Sequence, residues 1–127
     1  MIKLLINIKV WNHKTGQLIR TLNGHDDYVT SLAILPGNRL ASGSRKNELF
    51  IWNLTDGTLL FRLASNIGPK LNIVCLPSGN LAAGSYSNEI EIWNPINGTL
   101  VATLEYNTNT TLKRSFPWVL WGLKIIS

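Results

Sequence analysis

Short apolar stretches alternate with polar turn clusters along nearly the whole chain, with a period of two rather than the 3.6 of a helix. In the unit 26–64, residues 28–35 are apolar and β-branched and stop at Pro36-Gly37-Asn38, a cluster that favours a turn. Residues 39–44 form a second, small-residue stretch, and Arg45-Lys46-Asn47 make a tight connection. Residues 49–52 follow, with Leu49 and Ile51 predicted on one face and Phe50 and Trp52 on the other. A polar turn at 53–57 leads to a last strand at 58–63. The same order returns at 71–76, 80–85, 90–93 and 99–104, and two further strands are predicted ahead of it at 6–11 and 17–22.

The pattern repeats in register. Trp11, Trp52 and Trp93 fall 41 residues apart, and each is followed by asparagine (Asn12, Asn53, Asn94) and, five residues on, by glycine (Gly16, Gly57, Gly98). Leu18, Leu59 and Leu100 keep the step, as do Leu22, Leu63 and Leu104. Pro36 matches Pro77, Gly43-Ser44 matches Gly84-Ser85, and Asn47-Glu48 matches Asn88-Glu89. A unit of four short antiparallel strands at this period is a propeller blade, so the predicted fold is all-β. Two full four-stranded blades, 26–64 and 67–105, follow a partial blade at 1–25 that supplies a third and a fourth strand.

Gly24-His25, the second strand Ala41-Ser42-Gly43-Ser44 and a closing Trp-Asn in place of Trp-Asp together resemble the WD40 repeat family, over roughly residues 8–106. The resemblance implies a non-catalytic platform for binding other proteins. It also implies a buried network of histidine, serine, a turn aspartate and tryptophan. By position these are His25, Ser42, Lys46 and Trp52, so a lysine stands where the aspartate is expected and the histidine is predicted to lose its anionic partner. In the next unit the positions hold Asn66, Ala83, Ser87 and Trp93, and no network is expected. Lower stability than is usual for the family follows. The repeat residues expected to be structural are Trp11, Trp52, Trp93, His25, Ser42, Gly43 and Gly84.

Residues 106–127 leave the pattern. Asn107 to Thr111 read as a polar loop, residues 113–117 as the start of a diverged first strand, and the Trp118/Trp121 segment as core of a completed blade in preference to a partner-binding surface. Two readings compete. The tail pairs with the amino-terminal strands of another copy, so that chains self-associate into a closed ring, or the chain is a piece of a longer propeller without independent activity. The second is preferred.

The net charge of +5 comes from twelve scattered basic residues, nowhere three together, so a solvated surface is expected and nucleic-acid binding is disfavoured. Steep loss of binding with salt would mark the nucleic-acid alternative. The lone Cys75 lies in an apolar run and excludes an intrachain disulfide. Asn7 and Lys9 interrupt the first apolar residues, which argues against a signal peptide, and no apolar run reaches membrane-spanning length. A cytoplasmic or nuclear location, not secretion, is expected. Asn53, Asn97 and Asn109 head N-x-S/T triplets and read as turn residues.

No catalytic, cofactor or metal site is expected. Asp26-Asp27 beside His25 read as a structural loop, and His25 and His13 without cysteine partners make a zinc site improbable. No phosphate loop or nucleophile elbow appears. The partners implied are proteins or peptides. In the family they dock on the narrower face, at positions that correspond to Tyr28, Thr30 and Arg45 in one blade and Leu71, Asn72 and Tyr86 in the next. Arg45-Lys46 would suit an acidic or phosphorylated peptide.

Overall fold

The computed structural model describes residues 6–70 and 72–105, and the predicted roles of Leu71, Trp118, Trp121 and the tail fall outside them. Among the described residues ten strands make three antiparallel sheets. The first pairs β1 (Ile8–Trp11) with β2 (Leu18–Leu22). The second runs β3 (Val29–Leu35), β4 (Arg39–Ser44), β5 (Glu48–Asn53) and β6 (Leu59–Ala64) in chain order. The third repeats it with β7 (Asn72–Cys75), β8 (Leu81–Gly84), β9 (Glu89–Asn94) and β10 (Thr99–Glu105). This is a partial propeller of two complete blades and one half-blade.

The turns form where the sequence allows the backbone to reverse. Gly37 (φ 79°) and Asn38 (φ 56°) turn β3 into β4, in the left-handed region that these two residue types tolerate best. Adjacent strands then zip in chain order, since a short turn leaves the next strand nowhere closer to pair.

Both faces of the inner strands are covered, so the predicted alternation on β5 is not one of buried and exposed. Leu49, Phe50, Ile51 and Trp52 are all buried. Leu49 and Ile51 join Leu35, Ala41 and Leu63 against Ile73, Leu81, Ala83 and Trp93 of the third sheet. Phe50 and Trp52 join Leu40 against Ile8 and Leu22 of the first. A strand between two neighbouring sheets has no solvent side, and period two then sorts residues between two cores.

The first sheet covers that second face only in part. Leu32 and Ile34 of β3 are 52% and 68% exposed, whereas Ile73, one repeat later than Leu32, is 4% exposed against the second sheet. Trp11 likewise is 55% exposed, while Trp52 and Trp93 are buried.

The final strand of each sheet carries a bulge opposite the tryptophan: Ile19, Leu60 and Val101 are the unpaired residues, and each is exposed. The sheets also key into one another at the turn that precedes this strand. A Cβ on Gly57 would lie 2.9 Å from Arg20, and one on Gly98 would lie 2.8 Å from Phe61. Only glycine lets these side chains of the preceding sheet seat directly on the turn.

Candidate functional site

At one end of the second sheet, the β4–β5 connection and the loops before β3 and β7 meet around an open cleft. The connection is fixed locally: the Lys46 amide donates to Ser44 Oγ at 3.1 Å, which folds the chain back at once. Gly68 N donates to Asn47 Oδ1 at 2.5 Å, and Lys70 N donates to Ser44 O at 2.8 Å, so the next sheet's loop is tied to the same turn. The cleft measures about 540 Å³ and is lined by Asp26, Arg45, Lys46, Asn47, Glu48, Gly68 and Pro69.

Beneath it runs a line of hydrogen bonds. Trp52 Nε1 donates to Ser42 Oγ at 2.8 Å, and Ser42 Oγ lies 2.6 Å from His25 Nε2. His25 Nδ1 lies 3.3 Å from Glu48 Oε1. The Glu48 carboxylate can only accept, so the neutral ring carries its hydrogen on Nδ1 and donates to it, and Nε2 accepts the Ser42 hydroxyl proton. Every donor in the line points toward the carboxylate.

Glu48 collects two more donors: Ser44 Oγ at 2.6 Å, and the Asp26 amide at 3.2 and 3.0 Å from its two oxygens. The expectation that His25 lacks an anionic partner is therefore corrected. Lys46 does occupy the turn position, but the carboxylate arrives from Glu48, on the first residue of β5. His25 also stacks flat on Phe50, with ring centroids 4.2 Å apart and planes at 5°, and the Arg62 guanidinium sits 4.8 Å from the Phe50 centroid.

Burial holds the His25 imidazole below its ordinary pKa, against the pull of Glu48, which keeps the ring neutral as the hydrogen-bond line requires. Burial alone would raise Glu48, but the bonds from Ser44, the Asp26 amide and His25 outweigh it and hold the carboxyl below the usual range.

The family model of the WD domain, G-beta repeat, matches residues 16–53, from the turn before β2 to the end of β5. The relay from Trp52 to Glu48 lies inside that stretch. Residues 16–53 thus match a WD40 repeat. The matched unit is offset from the sheet: it takes the last strand of one blade and the first three of the next, which laces neighbouring blades together.

Among solved structures the chain is similar to that of U3-55K, a WD40 protein, with a TM-score of 0.75 and 22% identity. The likeness covers 81% of this chain and 34% of U3-55K, so the chain spans about a third of that protein's length, and the likeness is one of fold. Among curated protein sequences nothing matches.

The third sheet has the same strand order as the second and a different interior. The expected loss of its network is also corrected: a new one is built on Glu91, at the position that Phe50 fills one repeat earlier. Glu91, 3% exposed, accepts from Ser65 Oγ at 2.6 Å, from Trp93 Nε1 at 3.3 Å and from the Asn66 amide at 3.2 Å. The carboxylate does alone what Ser42, His25 and Glu48 do together. With Glu91 in that role, the equivalents of Ser44 and Glu48 are idle: Ser85 Oγ is buried without a partner and Glu89 is exposed.

Lys70 is fully buried beside this group, its Nζ donating to Gly68 O, and burial lowers its pKa although Glu91 opposes the shift. Its stem packs where a Cβ on Gly43 would stand, which explains the glycine there.

Of the residues expected to bind, the structure brings Tyr28 and Arg45 together. Arg45 N donates to Tyr28 O at 3.0 Å, and its guanidinium lies 5.4 Å from the ring centroid. Tyr86 occupies the equivalent connection of the third sheet and is 82% exposed. Thr30 is turned to structural use: as the bulged residue of β3, it donates to Lys70 O at 2.5 Å. Asn72 is exposed at the start of β7. Among the described residues no cluster of His, Cys, Asp and Glu could hold a metal, and no helix is long and apolar enough to cross a membrane.

Proposed function

We propose that the chain is a WD40-type protein-interaction module that captures an acidic segment of a partner in the cleft between its second and third sheets. WD40 repeats serve in general as interaction scaffolds, and that coarse role follows from the family match. The observation that carries the finer reading is the state of the charges around the cleft. Both basic side chains, Arg45 and Lys46, are exposed. Of the two carboxylates that line the cleft, Asp26 and Glu48, that of Glu48 is spent on three partners, His25, Ser44 and the Asp26 amide, and the Asp27 carboxylate nearby accepts from the Tyr28 amide at 2.7 Å. Positive charge is thus free at the rim while much of the negative charge is engaged. Tyr28 beside Arg45 adds a flat apolar surface of the kind on which bound side chains rest.

A hexaglutamate peptide is a sufficient probe. Its binding should weaken about tenfold or more in the Arg45→Glu/Lys46→Glu variant, with stability unchanged because both side chains are exposed. Equal binding by the two proteins would remove the cleft from consideration. Preferential capture of duplex nucleic acid over the peptide would favour the alternative.

A further inference from the structure

The relay beneath the cleft and the wall of the cleft share one residue. Glu48 is the last acceptor of the buried line and also lines the cleft beside Arg45 and Lys46. Its carboxylate pins the loop that carries His25, through both contacts with the Asp26 amide. From this shared position we infer that the cleft is an acid-sensitive site, in which protonation of His25 frees the loop and turns Glu48 into an internal competitor for the basic rim. The inference rests on the proposed capture of acidic segments.

The mechanism follows from proton positions. A second proton on His25 must sit on Nε2, which then points a donor at Ser42 Oγ. The Ser42 hydroxyl loses its acceptor and, being fully buried, finds no water to replace it. The imidazolium is also stacked on Phe50, next to the Arg62 guanidinium that already faces that ring.

The charged groups that face the ring are Glu48 from β5, Arg62 from β6 and Asp26 from its own loop. Two carboxylates attract the proton and one cation repels it, but burial is the largest influence and it opposes the charge. The ring therefore relieves the conflict by leaving, and Asp26, its neighbour in sequence, leaves with it. Glu48 is then rid of the His25 and Asp26 donors and still ionised at mildly acidic pH, since its ordinary value is 4.5. It lies within the same wall as Arg45 and Lys46 and pairs with them in place of a ligand.

Two measurements on the full chain test this. In amide-resolved NMR from about pH 7.5 to about pH 5.5, the Trp52 indole N–H and the Asp26 amide should shift together, with a midpoint below 6.5, the ordinary histidine value. The His25→Gln variant keeps a donor and an acceptor without titrating, and its signals should stay flat. Hexaglutamate affinity should fall about fivefold over the same range in the parent and less than about twofold in the variant.

If His25→Gln fails to fold, Glu48→Gln serves instead, because without the carboxylate the peptide affinity should become nearly independent of pH. Flat signals in the parent, or the same step in the glutamine variant, would overturn the inference. If the peptide binds at neither pH, the capture reading falls and takes the affinity claim with it, whereas a common step of the Trp52 and Asp26 signals still supports the loop release.

Discussion

The second and third sheets bury the same tryptophan at the same place and satisfy its indole N–H with different atoms. In the second, Ser42 accepts the bond and passes the demand through His25 to Glu48 at the edge of the cleft. In the third, Ala83 offers no hydroxyl and Glu91 takes the bond directly. The replacements come as a set. Glu91 stands where Phe50 stacks on His25, Asn66 stands where His25 does, and Ser65 stands where Gly24 does. Each exchange leaves no buried donor of that group unanswered, at the cost of one idle serine, Ser85. The polar interior of a blade is thus conserved in its requirement and free in its residues, because a buried N–H needs an acceptor and any suitably placed oxygen will serve.

The comparison is sharpest where one hub can be removed. Glu91→Ala strands the Ser65 hydroxyl, the Asn66 amide and the Trp93 indole, and leaves Lys70 without its counter-charge. It should cost about 4 kcal/mol in chemical denaturation, the largest effect of the series. A loss smaller than that of Ser42→Ala would show that the third sheet does not depend on its carboxylate.

A second pair compares the two flanks of the second sheet. Ile73→Ala should cost about 3 kcal/mol, since the residue is 4% exposed, and its repeat-mate Leu32, at 52%, should lose less than about 1 kcal/mol. Equal losses would mean that Leu32 is covered in solution.

Ser42→Ala leaves the Trp52 indole and one ring nitrogen of His25 without a bond, and should cost about 2 kcal/mol. Its indole N–H signal should exchange faster with solvent than that of Trp93, which makes the contrast between the sheets visible in one spectrum.

The smallest effect is the response to pH. The folded state resists protonation of His25, while the unfolded chain accepts a proton near 6.5, so stability is full above that value and is lost as pH falls below it. Glu48 works in the same direction lower down: its contribution is present above 4.5 and lost as pH falls toward its lowered folded value. Lys70 acts at the other end. Its depressed value means that stability rises with pH between that value and 10.5. Whatever offset His25→Gln shows at neutral pH, its melting temperature should fall less steeply than that of the parent as pH drops below 6.5.

Much of the architecture could be read before any coordinates. The 41-residue step, the turn clusters and the small-residue strands locate the sheets, because backbone reversal and close packing demand particular residue types at particular places. The networks were harder. A match by position finds Lys46 where the anion is expected and so predicts its loss, because it takes the carboxylate to come from the turn. Glutamate has a longer reach than aspartate, and from the start of β5 it spans the same gap.

Glu91 was hidden for another reason. A charge in Glu89-Ile90-Glu91-Ile92 reads as a solvent-facing position, but Glu91 shares the parity of Trp93, which packs against the second sheet. The one available signal was the exchange of Phe50 for Glu91 in step with the loss of His25 and Ser42. Tyr28, Thr30 and Arg45 are expected as docking positions of one blade; the contact of Tyr28 with Arg45 and the bond of Thr30 to Lys70 O are visible only in the fold.

The glycines under Arg20 and Phe61 bear on a property of the whole assembly. Each stands in the turn before the last strand, away from the close approach of β3 and β7, so it sets the gap between sheets on their outer side. A wider gap there, with the inner contact unchanged, increases the angle from one sheet to the next. The number of sheets that fit into a full circle is therefore written partly in the absence of a methyl group at these turns, most of all at Gly98, where a Cβ would meet the Phe61 ring rather than the yielding end of an arginine.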